Sequence, residues 1–315
     1  MITVLAGGVG AARLLRGLVL AVPADRVTAV VNTADDVVLH GLHVSPDLDT
    51  VTYTLAEAGN PETGWGLAGE TWQAMNALDR FEGLTWFRLG DRDLGTHLYR
   101  TGRLAEGAGL AAVTAEIAQA WGLEATLLPM TEDPVATMVT LDEGEGAGDE
   151  VGFQEYFVRL GHSVAVRSVR FAGADDARPG PGVLEALADS DAVVIAPSNP
   201  VVSIGPLLAV PGIADALRAR RADTVAVSPI VAGKALKGPA DRLLREMGHE
   251  ASVVGVARLY RDLAATLVVD RADADLADAV EAEGVTCVVT NTVMSSPEVA
   301  AELSQRILGC VGVAT

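Results

Sequence analysis

The residues of this sequence that could do chemistry fall into six short polar stretches. "VVNTADD" supplies Asn32, Thr33, Asp35 and Asp36, and "VSPDLDT" supplies Asp47 and Asp49. Four carboxylates on two neighbouring segments are hard oxygen ligands of the kind that suits Mg²⁺, which keeps several waters and also contacts substrate phosphates. "RLGDRDLGTH" adds Arg88, Asp91, Arg92, Asp93 and His97, and "PMTEDPVAT" adds Thr131, Glu132 and Asp133. "APSNPVVSIGP" carries Ser198, Asn199, Ser203 and Gly205, and "SPIVAGKALKGP" carries Ser228, Gly233, Lys234, Lys237 and Gly238. Ahead of them all, Gly7-Gly8-Val9-Gly10 joins an apolar run to a stretch of helical spacing. Glycines let the backbone approach a phosphate, and the helix that follows offers unpaired N–H groups and the positive end of its dipole. Each stretch alone also reads as an ordinary turn or helix cap, Asp47 and Asp49 included.

Other chemistries are disfavoured. "HGLH" offers His40 and His43 but has no third histidine or cysteine nearby for zinc. "SNPVV" lacks the flanking glycines of a nucleophile elbow. "GGVGAA" approximates a dinucleotide fingerprint, yet the second strand ends in Asn32, where an NAD ribose wants an acidic partner. "GKALKG" is not a Walker motif, since no Ser or Thr follows the lysine. With 42 acidic against 23 basic residues, the net charge of -19 argues against nucleic-acid binding. Cys287 and Cys310 fit core filling in a reducing compartment. No apolar run is long enough to span a bilayer, and a cytoplasmic location is expected.

The elements that must position these residues read as a mostly parallel sheet. "ITVLA", "VTAVVN", "DAVVIAP", "TVAVSP", "SVVGVA", "TLVVD" and "TCVVTN" are continuous apolar runs, as strands covered on both faces require. Helical stretches such as "GPADRLLREMG" and "SPEVAAELSQRILG" alternate with them. The expectation is a doubly wound, Rossmann-like α/β core over residues 1–60 and 173–315. A smaller segment, 61–172, reads as an insertion. It is helical at "GETWQAMNALDR" and "LAAVTAEIAQAWG", then forms a hairpin across "VATMVTLDEGEGAGDEVGFQEYFVRL". In such sheets ligands sit outside the carboxyl ends of the strands, which would bring the polar stretches to one crevice.

In order, "GGVGAARLLRGL", "VVNTADD", "GLHVSPDLDTVTYTLA", "LGDRDLGTHLYRT", "PMTEDPVATMV", "FQEYFVRLGH" and "APSNPVVSIGPLLAVPGI" resemble the 2-phospho-L-lactate transferase family of coenzyme F-420 biosynthesis. The resemblance runs from Met1 to beyond Gly238. It implies a Mg²⁺-dependent transferase. A guanosine-diphosphate-activated three-carbon acid, phosphoenolpyruvate or 2-phospholactate, would be joined through its phosphate to the ribityl hydroxyl of the deazaflavin Fo, with GMP leaving. Asp49 and Arg92 would be the catalytic pair, and Asp49 with Arg88 or Arg92 would meet Fo. Asp35 and Asp49 would bind the metal. Gly7, Gly8, Gly10, Asn32, Thr33, Ser198, Asn199, Ser203 and Lys234 would face the nucleotide. The family also implies a homodimer. The aromatic-rich insertion, with Trp65, Trp72, Trp86, Met130 and Phe153, would supply part of the apolar wall a deazaflavin needs. The alternative is a nucleotide-binding regulator of the same fold with no transferase activity.

Overall fold

The computed structural model describes every residue except Thr63, Glu82, Glu145 and Thr315. Its strands, in chain order, begin with β1 (Ile2–Ala6) and β2 (Val27–Val31), followed by a small hairpin of β3 (Val37–Leu39) and β4 (Leu42–Val44). Next come β5 (Thr126–Pro129), β6 (Ala136–Leu141), β7 (Glu150–Gly152) and β8 (Val166–Ala172), then β9 (Ala192–Ile195) and β10 (Thr224–Val227). A two-residue pair, β11 (Ile230–Val231) and β12 (Lys234–Ala235), precedes β13 (Thr266–Asp270) and β14 (Thr286–Thr290). Seven of them form one parallel sheet in the order β14-β13-β10-β9-β1-β2-β5. Of the seven expected strands, six are strands of this sheet.

The seventh, "SVVGVA", is a helix, Val253–Tyr260. Ser252 caps it by accepting a hydrogen bond from the Gly255 N–H at 3.1 Å. Val253, Val254, Val256 and Ala257 are all buried, so a helix packed on most of its surface presents the same unbroken apolar run as a two-faced strand. The seventh strand of the sheet is instead β5, which pairs with β2 from Thr28↔Thr126 to Val31↔Pro129. The span 61–172 is therefore not wholly an insertion. The helix Leu110–Ala120 packs its Ala118 into the core beneath β1 and β2, and β5 extends the sheet. Within the rest, the expected hairpin is present as β6–β7. It is joined by β8 into a three-stranded antiparallel sheet, and Glu145 in its turn lies outside the described residues.

The position of β1 decides where a ligand can bind. The chain leaves β1 towards β2 and β5, then returns to β9 on the other side of β1. The order of the sheet reverses between β1 and β9, and a crevice opens there at the carboxyl ends of the strands. Gly7 follows β1, and Pro197-Ser198-Asn199 follow β9. Ser198 Oγ donates to the Gly7 carbonyl at 2.7 Å and ties the two loops together. The helix α1 (Gly8–Ala21) leaves the first loop with Gly8 in the left-handed region at φ 70°. Leu14, Leu15 and Leu18 of α1 are fully buried, each stabilising the fold by on the order of 2 kcal/mol.

Gly10 is needed for close approach, because a Cβ there would collide with the Pro197 carbonyl. Gly10→Ala is accordingly expected to cost about 2–3 kcal/mol, as overpacking against rigid backbone does. The urea unfolding midpoint reads this directly, and an unchanged midpoint would refute the close packing of the two loops.

Candidate active site

A cavity of about 470 Å³ lies at this switch point. The Gly7–Gly10 loop, Ser198, Asn199 and Ser203 form its floor. Asp35, Asp47, Asp49 and Asp93 line it with negative charge, against Arg13, Arg88 and Lys237. The loops at the ends of β1, β2 and β9 thus meet as the sequence suggests.

Two of the carboxylates come from α2 (Pro46–Leu55). Pro46 at its first position leaves no orphan N–H there, and Asp47 and Asp49 sit in the first turn where the helix dipole favours anions. Asp47 braces the glycine loop instead of capping its own helix. Its Oδ1 accepts from the Gly8 N–H at 2.9 Å and its Oδ2 from Asn32 Nδ2 at 3.0 Å. Asn32 also accepts from the Ala34 N–H at 3.0 Å and is fully buried. The sequence expectation of a nucleotide contact at Asn32 is corrected by this, since the side chain is consumed inside the protein. Thr33 likewise is not in the cavity wall.

The carboxylates repel one another in a poorly solvated place. Burial, and then the neighbouring Asp47, raise the Asp35 carboxyl well above its ordinary range. Burial raises Asp36 as well, although Ser45 Oγ donates to its Oδ2 at 2.6 Å and lowers it. Asp47 is pushed up to about 6 by burial, against the hydrogen bonds from Asn32 and Gly8. Asp35 Oδ1 and Asp36 Oδ1 are buried and have no hydrogen-bond partner. Unpartnered carboxylate oxygens beside other carboxylates are a donor set that fits a hard cation. An anionic phosphate at the glycine loop would otherwise meet Asp47, which already occupies the Gly8 amide.

Helix α3 (Gln73–Leu78) and helix α4 (Asp93–Ala105) flank the other side. Glu70 caps α4 by accepting from the N–H groups of Arg92 and Asp93, both at 2.8 Å. The two candidate arginines separate here. Arg88 lines the cavity, lies 5.0 Å over the Trp72 ring and donates to Asn76 Oδ1 at 3.0 Å. Arg92 is exposed, and its Nη1 donates to the Ala68 carbonyl at 2.5 Å. Its expected place beside the reacting groups is not where the structure puts it, because the turn that starts α4 carries it outward. Lys234 is also outside the wall, on β12, whereas Lys237 three residues later is inside it.

The apolar wall comes partly from the 61–172 span. Trp65, Phe87, Phe153 and Phe157 line the cavity, and Phe153 stacks on Phe157 with centroids 5.5 Å apart. Trp72 acts through Arg88, and Trp86 packs edge-on against Phe87. Met130 is instead wholly buried in the main core.

Sequence reasoning missed Arg13, Tyr53 and Arg100. Arg13 lies on α1 one turn beyond Gly10 and makes no ion pair among the described residues. Arg100 is buried against Asp49. The signal for it was the spacing of Asp93, Thr96, His97 and Arg100, which puts four polar residues on one face of α4.

Comparison with known proteins agrees with this geometry. The family model described as 2-phospho-L-lactate transferase CofD matches residues 2–304. A phosphoenolpyruvate transferase of Kitasatospora aureofaciens is 46% identical over 310 residues, covering 98% of this chain and 96% of that one. One from Streptomyces griseus is 44% identical (98% and 97% covered), and one from Mycolicibacterium smegmatis 42% (99% and 99%). Among solved structures, a UPF0052 family member from Bacillus halodurans superposes with a TM-score of 0.61 at 20% identity, covering 98% of each chain. That likeness concerns the fold alone. The full-length match to the family model and to relatives above 40% identity shows that the chain belongs to the 2-phospho-L-lactate transferase CofD family and is a transferase.

Proposed function

We propose that this transferase acts in coenzyme F-420 biosynthesis. It joins a guanosine-diphosphate-activated three-carbon phospho-acid to the ribityl hydroxyl of the deazaflavin Fo. The hydroxyl oxygen attacks the phosphorus bearing the three-carbon acid, the bond from that phosphorus to the oxygen bridging to the GMP phosphorus breaks, and GMP leaves with the bridging oxygen. The names of the relatives favour phosphoenolpyruvate over 2-phospholactate as the acid. The observation that carries the reading is one cavity that joins a glycine loop, a carboxylate cluster, three cations and an aromatic wall.

In this reading Gly7, Gly10, Ser198, Asn199 and Ser203 face the nucleotide, and Arg13 and Lys237 meet its phosphates. Asp35 and Asp49 would hold Mg²⁺, each having lone pairs to spare beyond its present partners, and Asp49 also forms with Asp93 and His97 a group whose ligand atoms lie within 4.8 Å of one another. The ion supplies neutralisation of the diphosphate charge that the acidic wall would otherwise oppose. Asp49 accepts the proton of the attacking hydroxyl, and Trp65, Phe153 and Phe157 hold the flat ring system. Phosphoryl transfer needs little more than such positioning and charge balance.

Incubation with Fo, Mg²⁺ and guanylylated phosphoenolpyruvate should release GMP in step with loss of Fo. Nucleotide binding with no GMP release would favour a regulator and sink the reading. Arg88 rather than Arg92 is assigned to Fo. Arg88→Ala is therefore expected to weaken Fo binding by roughly tenfold, as loss of a charged hydrogen bond does, with GDP binding unchanged. Arg92→Ala should change neither by more than a few-fold, and the opposite ranking in a calorimetric titration would return the role to Arg92.

A further inference from the structure

Helices α2 and α4 meet through a polar face. Asp49 and Tyr53 come from α2, and Asp93, Thr96, His97 and Arg100 from α4. Arg100 is only 2% exposed and His97 1%. Arg100 Nη2 donates to Asp49 Oδ1, while Nη1 donates to Asp49 Oδ2 at 3.2 Å and to the His43 carbonyl at 3.3 Å. The Tyr53 hydroxyl bonds Asp93 Oδ1 at 2.5 Å and Thr96 Oγ1 at 2.8 Å, fixing the same two helices one turn further on.

A buried ion pair is a poor way to stabilise a helix contact, because desolvating two charges offsets most of their attraction. What the pair does supply is orientation. A guanidinium is a planar fork, and two parallel N–H···O bonds fix the plane of the carboxylate they grip. Asp49 lines the cavity, whereas Arg100 behind it does not. Of the two α2 carboxylates in the cavity, Asp49 alone is gripped by a charged fork, whereas Asp47 is braced only by neutral amide donors.

We propose that Arg100 is a positioning residue for transfer: it touches neither substrate and holds the Asp49 carboxylate in the plane from which it meets the acceptor hydroxyl. The inference rests on the role given to Asp49 above. Arg100→Ala would leave a buried carboxylate without its cation, so Arg100→Lys, which keeps the charge and loses the fork, is the informative variant. It should lower kcat by about 100-fold, as a misplaced reacting group does, with KM for Fo and Kd for GDP within threefold. In an Asp49→Asn background the same change should cost less than threefold, because residues that act as a unit are not additive. A folded Arg100→Lys variant with kcat within threefold of wild type would overturn the proposal. So would equal losses in the two backgrounds, which would mean that Arg100 acts elsewhere. GMP release by the unaltered protein, measured alongside, tests the underlying reading separately.

Discussion

An Asp49→Asn variant is expected to lower kcat for transfer by about 10³-fold, the scale on which a proton acceptor and a charge at the reacting centre act together. Guanine nucleotide affinity measured without Mg²⁺ should stay within a few-fold, because in the proposed reading the nucleotide rests on the loops after β1 and β9. Stability should fall as well. Asparagine leaves the Arg100 guanidinium buried without its counter-charge, and breaking a buried pair from one side costs about 3–5 kcal/mol. The rate must therefore be read at a temperature where circular dichroism shows the variant folded. A folded variant with kcat within tenfold of wild type would remove Asp49 from the reaction.

Asp35 predicts the opposite sign for stability. Its carboxylate is 5% exposed, has an unpartnered oxygen and faces Asp47. Asp35→Asn should raise the unfolding free energy of the metal-free protein by about 1–2 kcal/mol, as removal of an uncompensated buried charge does, and lower transfer by about 100-fold at limiting Mg²⁺. The same charges set a pH dependence. Asp35, Asp36 and Asp47 bind protons more tightly folded than unfolded, so each opposes folding when ionised. That penalty is relieved as pH falls through the folded value, about 6 for Asp47, and is gone below the unfolded value of 3.8. The metal-free urea midpoint should accordingly be higher at pH 5.5 than at 7.5, and Mg²⁺ should raise it most at 7.5. A midpoint that falls on acidification over this range, in both wild type and Asp35→Asn, would refute the account.

The parts of the site legible in the sequence were those fixed by local chemistry. Gly7–Gly10 ends a strand and opens a helix, and the strands β1 and β9 are buried throughout and pair in parallel, so their loops share an end of the sheet. What the sequence left open is settled by distances of one turn. Arg88 and Arg92 differ by four residues, and Lys234 and Lys237 by three. Only the start of α4 and the turn after β12 decide which of each pair faces inward. Spacing alone places Arg100 on a polar face of α4, but its partner could not be read. Arg100 is 51 residues from Asp49, and nothing local in "HLYRT" distinguishes a buried guanidinium from a solvated one. The helix Val253–Tyr260 was misread because burial on most of its surface erases the 3.6-residue period.

The seam between α1 and the helix Pro297–Gly309 bears on how the molecule is made. Gly17 lies so close to Ala300 that a Cβ would enter its backbone, and Leu14, Leu15 and Leu18 share a core with Leu303, Ile307 and Leu308. The outer face of α1 is covered by residues translated some three hundred codons after it. β1 waits similarly for β9. During synthesis an apolar helix and a strand with one unpaired edge are thus exposed for tens of seconds at ordinary elongation rates of about 5–20 residues per second. The seam that holds the helix after the glycine loop is therefore complete only once the helix Pro297–Gly309 has been made.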